Sequence, residues 1–454
     1  MKLHLIISLL FFSLAAPAQR AMKNSIDYLL KDELLNTIDA SVMVYDLDDD
    51  TLLYAHRPDK LVRPASVQKI VTSVVAIDKL GGNYTIDTEL FIKDNGVCRN
   101  LYVKGRMDPL FGVDDMVHMA SLMPDGSVVD TLFADCSFMD SLYWGSGWIW
   151  DDNPYGFQPY LSPLMVCGGT VEVVVSPSSK GASPHYTVTP ESSFYSVVNE
   201  AQSSNPAFGK LTILRDWLED SNVIRIRGNC TKQYKENINM YKSADFFLAL
   251  LVEKLDSIGV EVKALSFGCT PDDAERIHVI SRSVADVVDE ALMESDNLCA
   301  EALVYHLAAL GNEPPLSMDE GCEVVREFLN KEVEANDAFF VADGSGLSVY
   351  NYLSAAQLIN TLRYAHKDSL LFDVVYNRLP LSGVSGTMKN RTKEGIAYKK
   401  VRAKTGTVKG VCTLAGYARS ANGHLCAFVI LNNGLQKASV VRRWQDRVLE
   451  AICR

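Results

Sequence analysis

Alternating apolar and polar positions predict two strands near the start of the chain, over Ser41–Leu47 and Thr51–His56. Asp48-Asp49-Asp50 between them signals a hairpin. A helical spacing precedes them over Ser25–Asn36. A second helix is predicted over Ser66–Leu80, with Pro64 placed for its start and Gly81-Gly82 for its stop. The far end carries three more strand patterns, Ala397–Thr407, Val411–Arg419 and His424–Asn432, then an amphipathic helix over Ala438–Cys453. Ala421-Asn422-Gly423 marks a tight turn between the last two strands. Two early strands and three late ones predict one antiparallel five-stranded sheet, closed by both chain ends and flanked by helices.

The middle of the chain reads differently. From about Asn83 to Asn237, short β-like runs such as Val171–Val175 and Asn222–Arg227 are separated by Pro, Ser and Gly turns. Helical periodicity returns over Ser243–Ile258 and, as one run, over Val284–Leu310. The expected fold class is α/β of the α+β type. Residues 19–84 and 238–454 form the main domain, and residues 85–237 form an inserted β-rich region.

Composition narrows the picture. The chain has 454 residues, 48% hydrophobic and 22% charged, with a formal net charge of -12. These are the proportions of a folded globular protein. The acid excess argues against nucleic-acid binding, which needs Lys and Arg to neutralise phosphates. Met1–Ala18 reads as a signal peptide: a short basic start, an apolar run over Leu5–Ala15, and Ala16-Pro17-Ala18 as a cleavage site. The apolar run is shorter than the ~20 residues of a membrane span. Export to the periplasm or cell envelope is expected, where disulfides are permitted. The ten cysteines include no C-x-x-C pair, and their spacing assigns no pairing.

Three short motifs carry candidate chemistry. In Ser66-Val67-Gln68-Lys69 the serine and lysine lie three apart on a helix, so hydroxyl and amine share a face. A hydroxyl becomes a nucleophile when an adjacent base takes its proton, and a desolvated lysine can be that base. Ser295-Asp296-Asn297 offers a hydroxyl and an amide beside a helical run. It also reads as an ordinary helix cap. Lys404-Thr405-Gly406-Thr407 lies on a predicted strand before a hairpin. There Lys404 offers a cation for a carboxylate, Thr405 and Thr407 offer hydroxyls, and Gly406 allows close backbone approach. An edge strand guarded by an exposed lysine is the plain alternative. No G-x-S-x-G, H-E-x-x-H or Walker A pattern occurs, and the eight histidines form no catalytic pattern.

The three motifs occur together in the order found in the penicillin-recognising serine enzymes. The chain resembles that superfamily, and within it the low-molecular-mass D-Ala-D-Ala carboxypeptidase/endopeptidase family. Arg63-Pro64-Ala65-Ser66, Gly105 with Asp108-Pro109-Leu110, and Gly147-Trp148-Ile149-Trp150-Asp151-Asp152 support the narrower likeness. So do Asp343-Gly344-Ser345-Gly346-Leu347-Ser348 and Gly383 with Gly386-Thr387, as does the long gap from Ser66 to Ser295. Two positions depart from the family pattern. Ser385 stands where an acidic residue is common, and Val349 stands where some relatives have a basic one, which leaves substrate preference open.

The resemblance implies a β-lactamase/transpeptidase-like domain with a large insertion. It implies a Ser66 acyl-enzyme formed from peptidoglycan stem peptides, Lys69 as general base and Ser295 as proton relay. Asn297 would orient Lys69 and the substrate amide, and Lys404 and Thr405 would hold the terminal carboxylate. Backbone N–H groups of Ser66 and Thr407 would form the oxyanion hole. Asp152 and Phe157, in an aromatic, Pro/Gly-containing stretch, would contact a diamino-acid side chain. The expected partners are stem peptides and β-lactam antibiotics, with no metal or organic cofactor, no nucleic acid and no membrane span. A β-lactamase of the same superfamily and a non-catalytic muropeptide-binding protein are the competing readings.

Overall fold

The computed structural model describes residues 19–334 and 338–454. Met1–Ala18, the expected signal peptide, lies outside the described residues. The chain divides into two compact units. One comprises the chain up to Asn83 with Val284–Leu307 and Met318–Arg454, and the other comprises Tyr84–Ser283 with Ala308–Ser317.

The first unit is built on five strands: β1 (Asp39–Asp46), β2 (Thr51–His56), β3 (Val401–Val408), β4 (Val411–Arg419) and β5 (Leu425–Asn433). Their spatial order is β3-β4-β5-β1-β2, and every pair is antiparallel. The sheet is therefore closed by both ends of the chain, as the sequence pattern predicts. In β4 and β5 eight of nine residues are buried, so their continuous apolar runs reflect coverage of both faces. One face is covered by helix 19–29 and helix Ala438–Cys453, which pack Met22, Ile26, Val448 and Leu449 against Val42, Val44 and Phe428. Trp444 ties the two helices together, its indole N–H donating to Leu29 O at 2.9 Å. Helix Ala355–Lys367 packs on β1 and β5.

Helix Gln68–Leu80 runs among other helices, and all ten residues from Gln68 to Ile77 are buried. Six of the ten are apolar, and Lys69 and Thr72 reach polar partners on neighbouring elements. It ends at Gly81, whose φ of 83° suits glycine.

Three elements differ from the sequence pattern. The first helix ends at residue 29, and the rest of the expected Ser25–Asn36 helix is a separate turn, Glu33–Asn36. Asp32 causes the restart: its carboxylate accepts the Leu34 N–H, which competes with helix continuation. Strand β3 begins at Val401 instead of Ala397, because the chain turns there with Lys399 at φ 59°. The single run expected over Val284–Leu310 is two helices, Val284–Met293 and Asn297–Ala308. Ser295, at φ 69°, breaks it, and Asp296 Oδ1 caps the second helix by accepting Cys299 N–H at 2.8 Å.

The second unit holds a mixed five-stranded sheet in the order Leu265–Phe267, Thr131–Asp135, Arg99–Gly105, Thr85–Asp94, Glu275–Ser283. Two three-stranded sheets accompany it. Its apolar core joins Val171, Val173, Ile224 and Ile226 to Phe246, Phe247, Leu250 and Leu251. Helix Ser243–Asp256, expected in the main domain, thus belongs to this unit. The compact body extends well past the 85–237 insertion read from turn composition. All ten cysteines are free thiols, most of them buried.

Candidate active site

Ser66 lies in the short turn Ala65–Val67 that leads into helix Gln68–Leu80. Ala65 adopts a φ of 48°, a left-handed conformation costly for a residue with a Cβ. Its neighbours hold it there. A Cβ added to Gly346 would stand 2.0 Å from Ala65 O. A Cβ added to Gly406 would stand 3.0 Å from Ser66 N and 2.1 Å from Thr413 Oγ1. Thr413, opposite Gly406 across the β3–β4 ladder, donates its hydroxyl to Pro64 O at 2.7 Å. Two glycines and one threonine thus fix the strained turn that presents Ser66.

Lys69 sits one turn along and is fully buried. Its Nζ lies 3.1 Å from Ser66 Oγ, 2.6 Å from Asn297 Oδ1 and 2.9 Å from Ser345 O. Burial pushes the Lys69 amine down to about 8, against the opposing pull of the Glu301 and Asp343 carboxylates. A neutral amine has two N–H donors and one lone pair. Asn297 and Ser345 accept the two donors, which turns the lone pair toward the Ser66 hydroxyl.

Lys404 corrects the expectation of an exposed edge lysine. Strand β3 is at the sheet edge, yet Lys404 is fully buried. Its Nζ donates to Ser295 Oγ at 2.7 Å and to Thr405 O at 2.9 Å. Burial, followed by the Lys69 charge, holds its amine well below the ordinary lysine range. The break between the two helices is what brings Ser295 to Lys404 and Asn297 to Lys69. Of the remaining predicted residues, Thr405 is half-buried, and Thr407 is exposed with Arg442 Nη2 3.2 Å from its hydroxyl. Asp152 and Phe157 belong to the second unit. Asp152 ends the turn Trp150–Asp152, and Phe157 stacks on Tyr155 with ring centroids 5.6 Å apart.

Two supporting residues carry no assigned role in the sequence reading. Glu301 is fully buried and accepts the N–H groups of Gly344 and Ser345 at 2.9 and 3.1 Å. Burial pushes its carboxyl up to about 8. Asp343 accepts from Gly346 N, Ser348 N and Asn351 Nδ2 at 2.6–2.8 Å. Together they shape the loop whose Ser345 carbonyl receives Lys69. Glu301 stands four residues after Asn297 on one helix face, the spacing that could have pointed to it.

Among the described residues, Asp46, Asp48 and His424 bring metal-ligand atom types within 4.8 Å of one another. Their hydrogen bonds account for the cluster. His424 Nδ1 meets Asp46 Oδ2 at 2.9 Å, and Asp48 Oδ2 accepts Leu425 N–H at 2.6 Å, so two hairpin turns are braced together.

Residues 22–451 match the D-Ala-D-Ala carboxypeptidase 3 (S13) family. The chain belongs to that family. It is 28% identical over 443 residues to a D-alanyl-D-alanine carboxypeptidase of an Actinomadura species, covering 91% of this chain and 81% of the relative. It is 25% identical over 390 residues to the D-alanyl-D-alanine carboxypeptidase DacB of Haemophilus influenzae, covering 82% and 80%. The crystal structure of penicillin binding protein 4 from Haemophilus influenzae superposes with a TM-score of 0.81 at 22% identity, over 94% of this chain and 97% of that one. A predatory endopeptidase from Bdellovibrio bacteriovorus, solved with an immunity protein, gives a TM-score of 0.54 at 17% identity, over 92% and 93%. The last two likenesses speak to the fold.

The Lys69 geometry sets a pH profile. A protonated Lys69 has no lone pair for Ser66, so acylation by a soluble penicillin should rise about tenfold per pH unit below 8 and level off above it. In Glu301→Gln, loss of the nearby negative charge should move that midpoint to lower pH. Stopped-flow acylation between roughly pH 6 and 9 measures both. A flat wild-type profile removes Lys69 as the base.

Proposed function

We propose that the chain is a serine D-Ala-D-Ala carboxypeptidase with DD-endopeptidase activity that acts on peptidoglycan stem peptides and is acylated by β-lactams. The observation that carries this reading is the buried Lys69 amine, 3.1 Å from the Ser66 hydroxyl and held on its other sides by Asn297 and Ser345. Ser66 Oγ attacks the carbonyl of the D-Ala-D-Ala bond while Lys69 takes its proton. The Ser66 and Thr407 N–H groups receive the developing oxyanion. Each such donor is worth roughly 3 kcal/mol in the transition state. Ser295, hydrogen-bonded to Lys404, passes a proton to the leaving amine. Water then hydrolyses the ester.

The burial of Lys404 refines the expected carboxylate site. Its amine donates to Ser295 Oγ. It therefore orients the serine and meets the carboxylate through it, while Thr405 and Thr407 supply further hydroxyls. Removing the charge would also disturb a fully buried group, so Lys404→Gln bears on stability as well as on substrate.

The match to carboxypeptidases across residues 22–451 favours this reading over a β-lactamase, and the intact Ser66–Lys69 pair favours it over a muropeptide-binding protein without activity. Met1–Ala18 supports export to the periplasm through a signal peptide. No helix among the described residues is long and apolar enough to cross a membrane. Asp152 and Phe157 remain part of the proposal as contacts to the amine and stem of a diamino-acid side chain.

Two substitutions test the reading. A labelled penicillin should mark the wild type and leave Ser66→Ala unmarked, with both folded by circular dichroism. Equal labelling would refute the nucleophile. Asp152→Ala should lower kcat/KM on a diamino-acid-containing pentapeptide by about tenfold, the scale of one charge-assisted contact. It should spare acylation by a small penicillin that lacks the side-chain amine. An equal fall in both rates makes Asp152 structural.

A further inference from the structure

The second unit contains a cavity of about 470 Å³, which lies within the ordinary range for a small-ligand site. Every residue lining it belongs to that unit. Three tyrosines dominate its wall. Tyr160 is buried and forms the base, with Tyr143 packed at 5.4 Å and Tyr241 edge-on at 5.4 Å. Tyr143 keeps half its surface in solvent, and Phe267, at the rim of the cavity, does the same. Asp140, Asp245 and Lys242 add two acceptors and one donor.

The wall is held rigidly. Tyr160 Oη is bonded to the Asn153 side-chain amide at 2.9 Å, and its carbonyl accepts the Ser243 hydroxyl at 2.7 Å. Asn222 clamps both backbone groups of Tyr241, at 2.9 and 3.1 Å. The Tyr143 carbonyl accepts Leu161 N–H at 2.9 Å. A second cavity of about 410 Å³ shares Ser141, Tyr143 and Tyr160 with the first and is also lined by Trp144, Trp150, Asn153 and Asp220. Flat rings therefore line two adjoining compartments, each with at least one carboxylate acceptor.

We propose that this aromatic trough binds the N-acetylated glycan strand of peptidoglycan, apart from the chemistry at Ser66. The proposal rests on the peptidoglycan reading above. A pyranose presents a C–H face that packs on an aromatic ring and a belt of hydroxyls that donate to carboxylates. The trough supplies both, with Tyr143 and Phe267 as exposed faces and Asp140 and Asp245 as acceptors. Lys242 donates to the carbonyl of an N-acetyl group. Two carboxylates against one lysine disfavour a polyanion, so a neutral sugar chain fits the charge balance. Two adjoining compartments suit a polymer of sugars better than a single small molecule.

Titration of the full chain with a peptide-free N-acetylglucosamine tetramer tests this by calorimetry. The wild type should bind with millimolar affinity or better, and Tyr143→Ala should weaken binding about tenfold or more, since an exposed ring is the main contact. Asp245→Asn, which keeps the shape and removes the charge, should weaken it by a smaller factor. Absence of wild-type binding overturns the proposal. So does tetramer binding that Tyr143→Ala leaves unchanged, or binding of a free stem pentapeptide at this cavity in place of the tetramer. Penicillin labelling of Ser66 in the same preparations reports separately on the serine-enzyme reading, so the two can fail independently.

Discussion

The first unit depends on one costly act, the removal of a lysine amine from water. Lys69 is fully buried, and an ammonium in that position loses its hydration without gaining a full counter-charge in contact. The surrounding structure supplies three polar contacts in its place: a side-chain amide, a backbone carbonyl and a serine hydroxyl. Each comes from a different element. Asn297 requires the helix break at Ser295, and the Ser345 carbonyl requires the loop built on Asp343 and Glu301. The Ser66 hydroxyl requires the strained turn at Ala65. A change in any of these three elements alters the environment of the same nitrogen.

Glycine and threonine serve the same end at the sheet. Strand β3 must pass close enough to the Ala65–Val67 turn for Gly406 to lie against Ser66 N, and a side chain there would collide with Thr413. Thr413 then secures Pro64 from the neighbouring strand. Residues 380–382 bridge the start of the outer side of β3 at Val401–Ala403, and from Lys404 onward that side of the strand has no ladder partner among the described residues. An extended peptide can add to such an edge, which aligns a scissile bond with a fixed serine.

Much of this was legible in the sequence. The β1–β2 hairpin, β4, and the closing helix Ala438–Cys453 follow directly from periodicity, because each has a clear apolar face or run. The motifs on Ser66, Ser295 and Lys404 were readable because each sets chemistry-bearing residue types at a short spacing, and the structure brings their side chains together. Three things were not. Periodicity over Val284–Leu310 cannot register one residue in a left-handed conformation, yet that residue, Ser295, splits the helix and builds half the site. Turn composition ended the insertion early, because helix Ser243–Asp256 is apolar enough to suit either core, and only packing assigns Phe246 and Phe247. Burial of Lys404 was hidden by its place on an edge strand, where lysine is ordinarily a solvated guard.

The two buried titratable groups near Ser66 change stability with pH in opposite directions. Glu301 is raised from 4.5 to about 8, so the folded chain holds a proton that the unfolded chain releases between those values. Its contribution to stability is present at low pH and is lost as pH rises toward 8. Lys69 is lowered from 10.5 to about 8, so above 8 the unfolded chain binds the extra proton, and stability is regained as pH rises toward 10.5. Both groups therefore weaken the fold in the range between their ordinary values, where each is charged in the unfolded chain. The hydrogen bonds of Asn297, Ser345 and Asp343 must offset that loss, which explains why so many buried polar contacts converge on one loop.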